Sequence, residues 1–171
     1  MKFTRWQRFR WDLEKLLSFP APQNPFLIRL AELDESDKIQ KVILNNFSTG
    51  TAWTNSHKAI VAKMSSYLNE DFSPHPKHTL VALHGTRIIG ASLFLSANDV
   101  ENHLLTGPCV LHEYRSRGLA TALLHATLAF LHQATLSHAY GVTTDQSIPA
   151  RFIYPKFGGM AEDYLPAVST E

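Results

Sequence analysis

Residues 104–133 run from an apolar stretch, Leu104–Leu111, through Arg115-Ser116-Arg117-Gly118-Leu119-Ala120 into a helix-patterned stretch, Thr121–Gln133. A strand that turns into a helix through small residues leaves the first N–H groups of the helix without intrahelical partners, aimed at one spot. Those donors and the positive end of the helix dipole make an anion site. Gly118 tolerates a left-handed turn and lets a phosphate approach the backbone, while Arg115 and Arg117 add guanidinium charge suited to phosphate geometry. The segment therefore calls for a strand–turn–helix unit in a mixed α/β domain and a diphosphate-bearing ligand. Two common phosphate loops are excluded. The mononucleotide loop needs a Gly-Lys pair, which the chain lacks, and the dinucleotide fingerprint needs three glycines where this turn has one.

The pattern that fits is [QR]-x-x-G-x-[GA] after a strand, and here the chain resembles the GNAT superfamily of acyl-CoA-dependent N-acyltransferases. Val110–Leu124 is similar to that family's pyrophosphate-binding segment. Downstream, Ser147-Ile148-Pro149-Ala150-Arg151-Phe152-Ile153-Tyr154-Pro155-Lys156-Phe157-Gly158 resembles its N-x-x-A-x-x-[LI]-Y-x-x-x-G signature. Ile28-Arg29-Leu30-Ala31 followed by Asp34 is similar to its opening strand, so the resemblance covers Phe26 to Gly158.

Periodicity divides the chain into 1–25, an N-terminal amphipathic helix and linker, and 26–171, the acyltransferase-like domain. Phe3, Trp6, Phe9, Leu13, Leu16 and Leu17 share one face at helical spacing over Met1–Ser18, with Trp11 off that face. This basic helix is expected to pack on the domain or a partner subunit; a membrane-surface role is the lesser reading. Pro20, Pro22 and Pro25 mark Phe19–Pro25 as linker. Phe26–Leu33 reads as a strand, Glu35–Phe47 and His57–Asn69 as helices, and His78–Leu83 and Arg87–Leu95 as a hairpin around His84-Gly85-Thr86. His103–Leu111 is a strand interrupted by Gly107-Pro108, which demands a bulge or an open edge because proline cannot donate to a central ladder. Gly118–Gln133 is a helix apolar around most of its girth, Ser137–Thr143 a strand, and Ile148–Phe157 a short helix that Pro155 must end or kink. Met160–Glu171 has room for one more strand. The expected order is β-α-α-β-β-β-α-β-α-β, a mixed sheet flanked by helices, plus the extra N-terminal helix.

The resemblance implies acyl transfer from acetyl-CoA or a related acyl-CoA to a primary amine by direct attack in a ternary complex. It implies that the pantetheine arm enters beside the Gly107-Pro108 bulge, where a backbone N–H near Cys109 or Val110 polarises the thioester. The cofactor-binding candidates are Pro108, Cys109, Val110, Arg115, Ser116, Arg117, Gly118, Leu119, Ala120, Thr121 and Ser147, the last standing where the signature has asparagine. Tyr154 occupies the place of the tyrosine that protonates the leaving thiolate. The glutamate that some relatives use as base falls on Val142, which leaves Glu101, Asp99, His103, Asp145 and His138 as substitutes by composition, or a water relay. The acceptor, a small-molecule or peptide amine, should enter along the Asn45–His57 loop, with Trp53 as a wall. Arg151 and Lys156 are further phosphate-binding candidates. The family commonly closes its sheet with two terminal strands, so a second subunit or the N-terminal helix is expected to cover the open edge. The alternative is a non-catalytic acyl-CoA-binding module on the same fold.

Composition agrees with a single globular domain of 171 residues, 44% hydrophobic and 18% charged. A net charge of +1 argues against a nucleic-acid binder. Charges interrupt the N-terminal segment, so it is no secretory signal, and no apolar run reaches membrane-spanning length. The lone Cys109 excludes an internal disulfide, and a cytoplasmic place is expected. The nine histidines, His75-x-x-His78 and His125/His132 among them, lack neighbouring ligands at metal spacing, so no metal is expected.

Overall fold

The computed structural model describes residues 5–48, 55–72 and 74–165. Its strands are β1 (Trp6–Asp12), β2 (Phe26–Leu30), β3 (Lys77–His84), β4 (Arg87–Leu95), β5 (Cys109–Val110), β6 (His138–Thr144) and β7 (Met160–Asp163). The helices are α1 (Ser36–Ser48), α2 (Asn55–Asn69) and α3 (Leu119–Gln133). Among the described residues no helix is long and apolar enough to cross a membrane.

The strands form two ladders, β2-β3-β4-β5 and β6-β1-β7. β4 is buried at every position after Arg87 because helices cover both its faces. Ile89, Phe94, Leu123, Leu124, Leu128 and Leu131 form the core under α3, and Ile39, Ile43, Met64, Val81 and Leu93 that under α1 and α2. The two-residue turn of the β3–β4 hairpin uses Gly85 at φ 61°.

The N-terminal segment corrects the sequence expectation: Trp6–Asp12 is a strand, not part of a helix. It pairs antiparallel with β6 (Trp6 with Thr144 through Asp12 with His138) and, on its other edge, with β7. The segment carries two competing periodicities. Phe9, Trp11 and Leu13 alternate at period two, and all three are buried. Arg8 falls on the opposite face, where its guanidinium lies 4.6 Å from the Tyr140 ring centroid and pairs with Glu162 at 2.6 Å. Trp11, the residue a helical wheel leaves off the apolar stripe, has no exposure at all. The sheet edge expected to need cover is thus covered from within the chain.

Two further elements differ. Only Cys109–Val110 of the expected strand over 103–111 pairs as a strand, with an isolated bridge between Phe94 and Leu104. Between the Phe94–Leu104 and Ala91–Cys109 pairs, residues 92–93 of β4 face residues 105–108, so the chain bulges at Gly107-Pro108. The late helix is a π-helical turn, Pro149–Ile153, closed by the Tyr154 N–H on the Pro149 carbonyl (2.7 Å), and then a 3-10 turn, Lys156–Gly158. Pro155 has no N–H to offer the preceding turn, so a regular helix cannot continue.

Arg29 on β2 forks onto Glu35 at 2.6 and 3.0 Å, and Glu35 also accepts the Glu32 N–H at 2.8 Å. The Arg29 guanidinium and then that N–H hold the Glu35 carboxyl at about 2, against an ordinary 4.5. A folded value below the unfolded one stabilises the fold above the unfolded value, and that contribution disappears as pH falls through the folded value. Glu35→Gln is therefore expected to cost about 1–2 kcal/mol at neutral pH, read as a lower Tm at pH 7. The gap to wild type should close as pH approaches 2. Equal melting at pH 7 would contradict this.

Candidate active site

The turn before α3 is anchored by Tyr114, whose side chain is buried and whose hydroxyl meets His84 Nδ1 at 2.7 Å. Ser116 (φ 63°) and Gly118 (φ 76°) are both left-handed and swing the backbone into the helix. The first rung of α3 is the Ala122 N–H on the Gly118 carbonyl, 3.0 Å. The amides of Leu119, Ala120 and Thr121 therefore have no partner within the helix. The buried side chains of Leu119 and Thr121 hold this end in place. Lys156 Nζ donates to Thr121 Oγ1 at 3.0 Å, which sets an ammonium against the positive end of α3. That juxtaposition is electrostatically uphill on its own and becomes favourable when an anion sits between the two.

The arginines of the turn part company. The Arg115 guanidinium points toward α1, donating from Nη2 to Asn46 Oδ1 (3.0 Å) and from Nε to the Val110 carbonyl (3.4 Å), so it ties the turn to the sheet. The exposed Arg117 lies over the Tyr114 ring at 5.3 Å. Ser116 is exposed and shapes the turn through its backbone.

Beside the turn the sheet parts. Among the described residues, the hydrogen bonds joining β6 to the preceding ladder lie at its far end. There the His103 and Leu104 N–H groups donate to the Tyr140 carbonyl (2.8 and 3.1 Å), and the Val142 N–H donates to Asn102 Oδ1 (3.1 Å). At β5 the Leu111 N–H bonds to the Ile89 carbonyl of β4 (2.9 Å). Antiparallel alternation then turns the Val110 N–H away from β4, into the parting.

Tyr154 stands in this parting. Its ring is buried edge-on between Phe9 (centroids 5.4 Å apart) and Trp11 (5.3 Å). Its hydroxyl lies so close to Gly107 that a Cβ there would collide with it. Across the ring, a Cβ on Gly141 of β6 would lie 3.3 Å from Tyr154 and 3.2 Å from Trp11. Burial, and then the neighbouring Cys109 thiol, push the phenol above its ordinary 10. Cys109 is itself fully buried, with Sγ 3.6 Å from the Gly107 carbonyl, and burial pushes its thiol up to about 12, so it is no nucleophile.

Ser147 uses its hydroxyl locally, accepting the Ala150 N–H (3.1 Å) and meeting Thr143 Oγ1 (2.9 Å); it caps the π-helical turn. The candidate bases lie elsewhere or are engaged. Glu101 accepts from the Tyr164 hydroxyl (2.8 Å), Asp99 sits 3.4 Å from His75, Asp145 accepts the Arg5 N–H (3.3 Å) and His138 adjoins Ser137 (3.1 Å). His103 is buried and bound at both nitrogens: Nε2–H donates to the Ala97 carbonyl (2.8 Å) and Nδ1 accepts the Tyr140 N–H (3.0 Å). That pattern fixes a neutral ring, and burial lowers its pKa accordingly. Trp53 and the rest of residues 49–54, within the loop expected to wall the acceptor, lie outside the described residues. Among the described residues no cluster suited to a metal ion occurs.

Sequence reasoning missed Trp11 and Phe9 as site residues and named Lys156 only together with Arg151. The Phe9-Trp11-Leu13 alternation was the available signal for the first two. The reach of Lys156 to Thr121 had none, since it depends on how Pro155 breaks the late helix.

A two-ladder α/β sheet parted beside a glycine-led helix is the architecture of solved acetyltransferases. The fold matches a tandem GNAT protein from the clavulanic acid biosynthesis pathway (14% identity, TM-score 0.65, covering 96% of this chain and 51% of that one). It also matches a GNAT-family acetyltransferase from Novosphingobium aromaticivorans (15%, TM-score 0.59, 94% and 62%) and a Staphylococcus epidermidis protein of unknown function (15%, TM-score 0.61, 94% and 58%). The chain thus spans roughly half to three-fifths of the length of these structures. A model of the acetyltransferase (GNAT) family matches residues 45–159, and the chain belongs to that family. No curated protein matches it.

Proposed function

We propose that the protein is an acyl-CoA-dependent N-acyltransferase that acetylates a primary amine by direct attack in a ternary complex. The carrying observation is the convergence, within one parting of the sheet, of three devices: unpaired amides at the start of α3 with Lys156 against them, the inward-facing Val110 N–H, and the Tyr154 hydroxyl at Gly107. The amides of Leu119, Ala120 and Thr121 with the Lys156 ammonium hold the paired phosphates of coenzyme A. The Val110 N–H donates to the thioester carbonyl oxygen and stabilises the negative charge that develops there.

As the amine nitrogen bonds to the acyl carbon, the carbon–sulfur bond breaks and its electron pair goes to sulfur. Tyr154 gives its proton to that sulfur and is reprotonated by the proton the nitrogen sheds, relayed through water. The raised phenol value keeps the proton on Tyr154 in the resting site. A water relay also serves as the base, since the carboxylates and imidazoles weighed above are engaged or distant. The need for acyl-CoA supports a cytoplasmic location.

The test is calorimetric titration with coenzyme A, followed by an amine panel with acetyl-CoA read as free thiol release. Binding plus turnover on one amine class supports the proposal. Binding with no turnover on any amine favours a non-catalytic acyl-CoA-binding module, and absence of binding refutes both.

A further inference from the structure

We infer that Trp11 is a positioning residue for the Tyr154 hydroxyl, supplied by a strand that lies outside the family-matched residues 45–159. The inference rests on the reading of Tyr154 as proton donor and extends it.

The indole is the most constrained large side chain around the site. It has no exposure, meets the Tyr154 ring edge-on at 82°, and stacks with Phe9 at 6.2 Å. Its Nε1–H donates to the Lys156 carbonyl at 3.0 Å. That bond fixes the ring's rotation and pins the backbone two residues beyond Tyr154. The surroundings admit no other seat. A Cβ on Gly141 would lie 3.2 Å from the six-membered ring of the indole, and one on Gly159 would lie 2.7 Å from Nε1. Gly141 therefore leaves the indole its space, and Gly159 leaves space both for the indole and for the Tyr154 carbonyl, its nearer neighbour. Tyr154 is held on one side by this assembly and on the other by Gly107, so the position of the indole decides where the hydroxyl points.

Lys156 makes the arrangement reach further. Its carbonyl accepts the indole N–H while its ammonium donates to Thr121 in the first turn of α3. One residue thus links the donor to the phosphate end. A shift of the indole displaces the hydroxyl directly, but reaches the ammonium only through a flexible side chain. Loss of Trp11 should therefore act mainly on the chemical step.

The test compares wild type, Trp11→Phe, Tyr154→Phe and the double variant, using acetyl-CoA with an amine accepted in the panel. Trp11→Phe keeps an aromatic ring in the core and deletes the N–H. Its kcat is expected to fall about 10-fold or more, because small misplacements of a reacting group are costly. KM for acetyl-CoA and the calorimetric affinity for coenzyme A should change by less than about threefold, as expected when binding is retained. In the Tyr154→Phe background the same substitution should leave kcat unchanged, since there is no hydroxyl left to aim.

An unaltered kcat in folded Trp11→Phe overturns the inference, and so does an equal fall in both backgrounds. If Tyr154→Phe alone leaves kcat intact, the reading of Tyr154 fails instead, and that result is separately visible. If Trp11→Phe does not fold, site-specific replacement of the indole by its sulfur isostere keeps the shape and deletes only the N–H; the same split is expected.

Discussion

Tyr154→Phe should lower kcat by about 100-fold, the usual scale of losing a positioned general acid, while leaving the coenzyme A dissociation constant within a factor of about three. The substitution removes one oxygen from a ring otherwise held by Phe9 and Trp11, so the fold should survive. The pH dependence sharpens the expectation. Burial raises the phenol above its ordinary 10, so the donor remains protonated throughout the neutral and mildly alkaline range. Wild-type kcat should therefore show no alkaline decline from this group below pH 10 or so. A decline in that range that vanishes in Tyr154→Phe would show that the phenol ionises more easily than its burial allows. An unchanged kcat in the variant would remove Tyr154 from the chemistry.

Gly107→Ala is expected to produce the largest combined loss. The residue has φ 64°, which costs an L side chain about 1–2 kcal/mol. The added methyl would also strike the Tyr154 hydroxyl. Overpacking of this kind costs about 1–3 kcal/mol more, and relief by moving the phenol takes the proton donor off its mark. Thermal melting should show the destabilisation, and kcat should fall at least as far as in Tyr154→Phe. The double variant separates the two contributions. With the hydroxyl gone the methyl has 3.2 Å to the ring carbon, tight but tolerable, so Gly107→Ala should cost only its backbone part in the Tyr154→Phe background. Additive losses in the cycle would mean that the collision is relieved elsewhere.

These residues show what can be read from a sequence and what cannot. The turn at Arg115–Ala120 was legible because its device is local: a glycine that takes a left-handed conformation directly before a helix. The bulge at Gly107-Pro108 was legible for a similar reason, since proline cannot serve a ladder. Arg115 is expected from the sequence to face the ligand, while the direction of its guanidinium depends on Asn46, a residue distant in sequence. Ser147 was placed among ligand-facing residues, while its hydroxyl closes a turn of its own chain. The N-terminal strand was misread because Phe3, Trp6, Phe9, Leu13, Leu16 and Leu17 satisfy a helical period, while Phe9, Trp11 and Leu13 satisfy an alternating one. Only a waiting pair of edges, β6 and β7, decides between them. His103 stands among the candidate bases, yet both of its nitrogens are bound, Nε2 to Ala97 in its own connecting segment and Nδ1 across to Tyr140 of β6.

The placement of β1 also bears on how the molecule assembles. Trp6 pairs with Thr144, and Arg10 with Met160, so nearly the whole polypeptide separates the first strand from its neighbours. Closing such long loops carries a large entropic barrier and slows the search for the native topology. During synthesis β1 must stay uncommitted until β6 and β7 have emerged. Its Phe9 and Trp11 are exposed to solvent and to other chains for that interval, which makes this segment the natural client site for a holding chaperone.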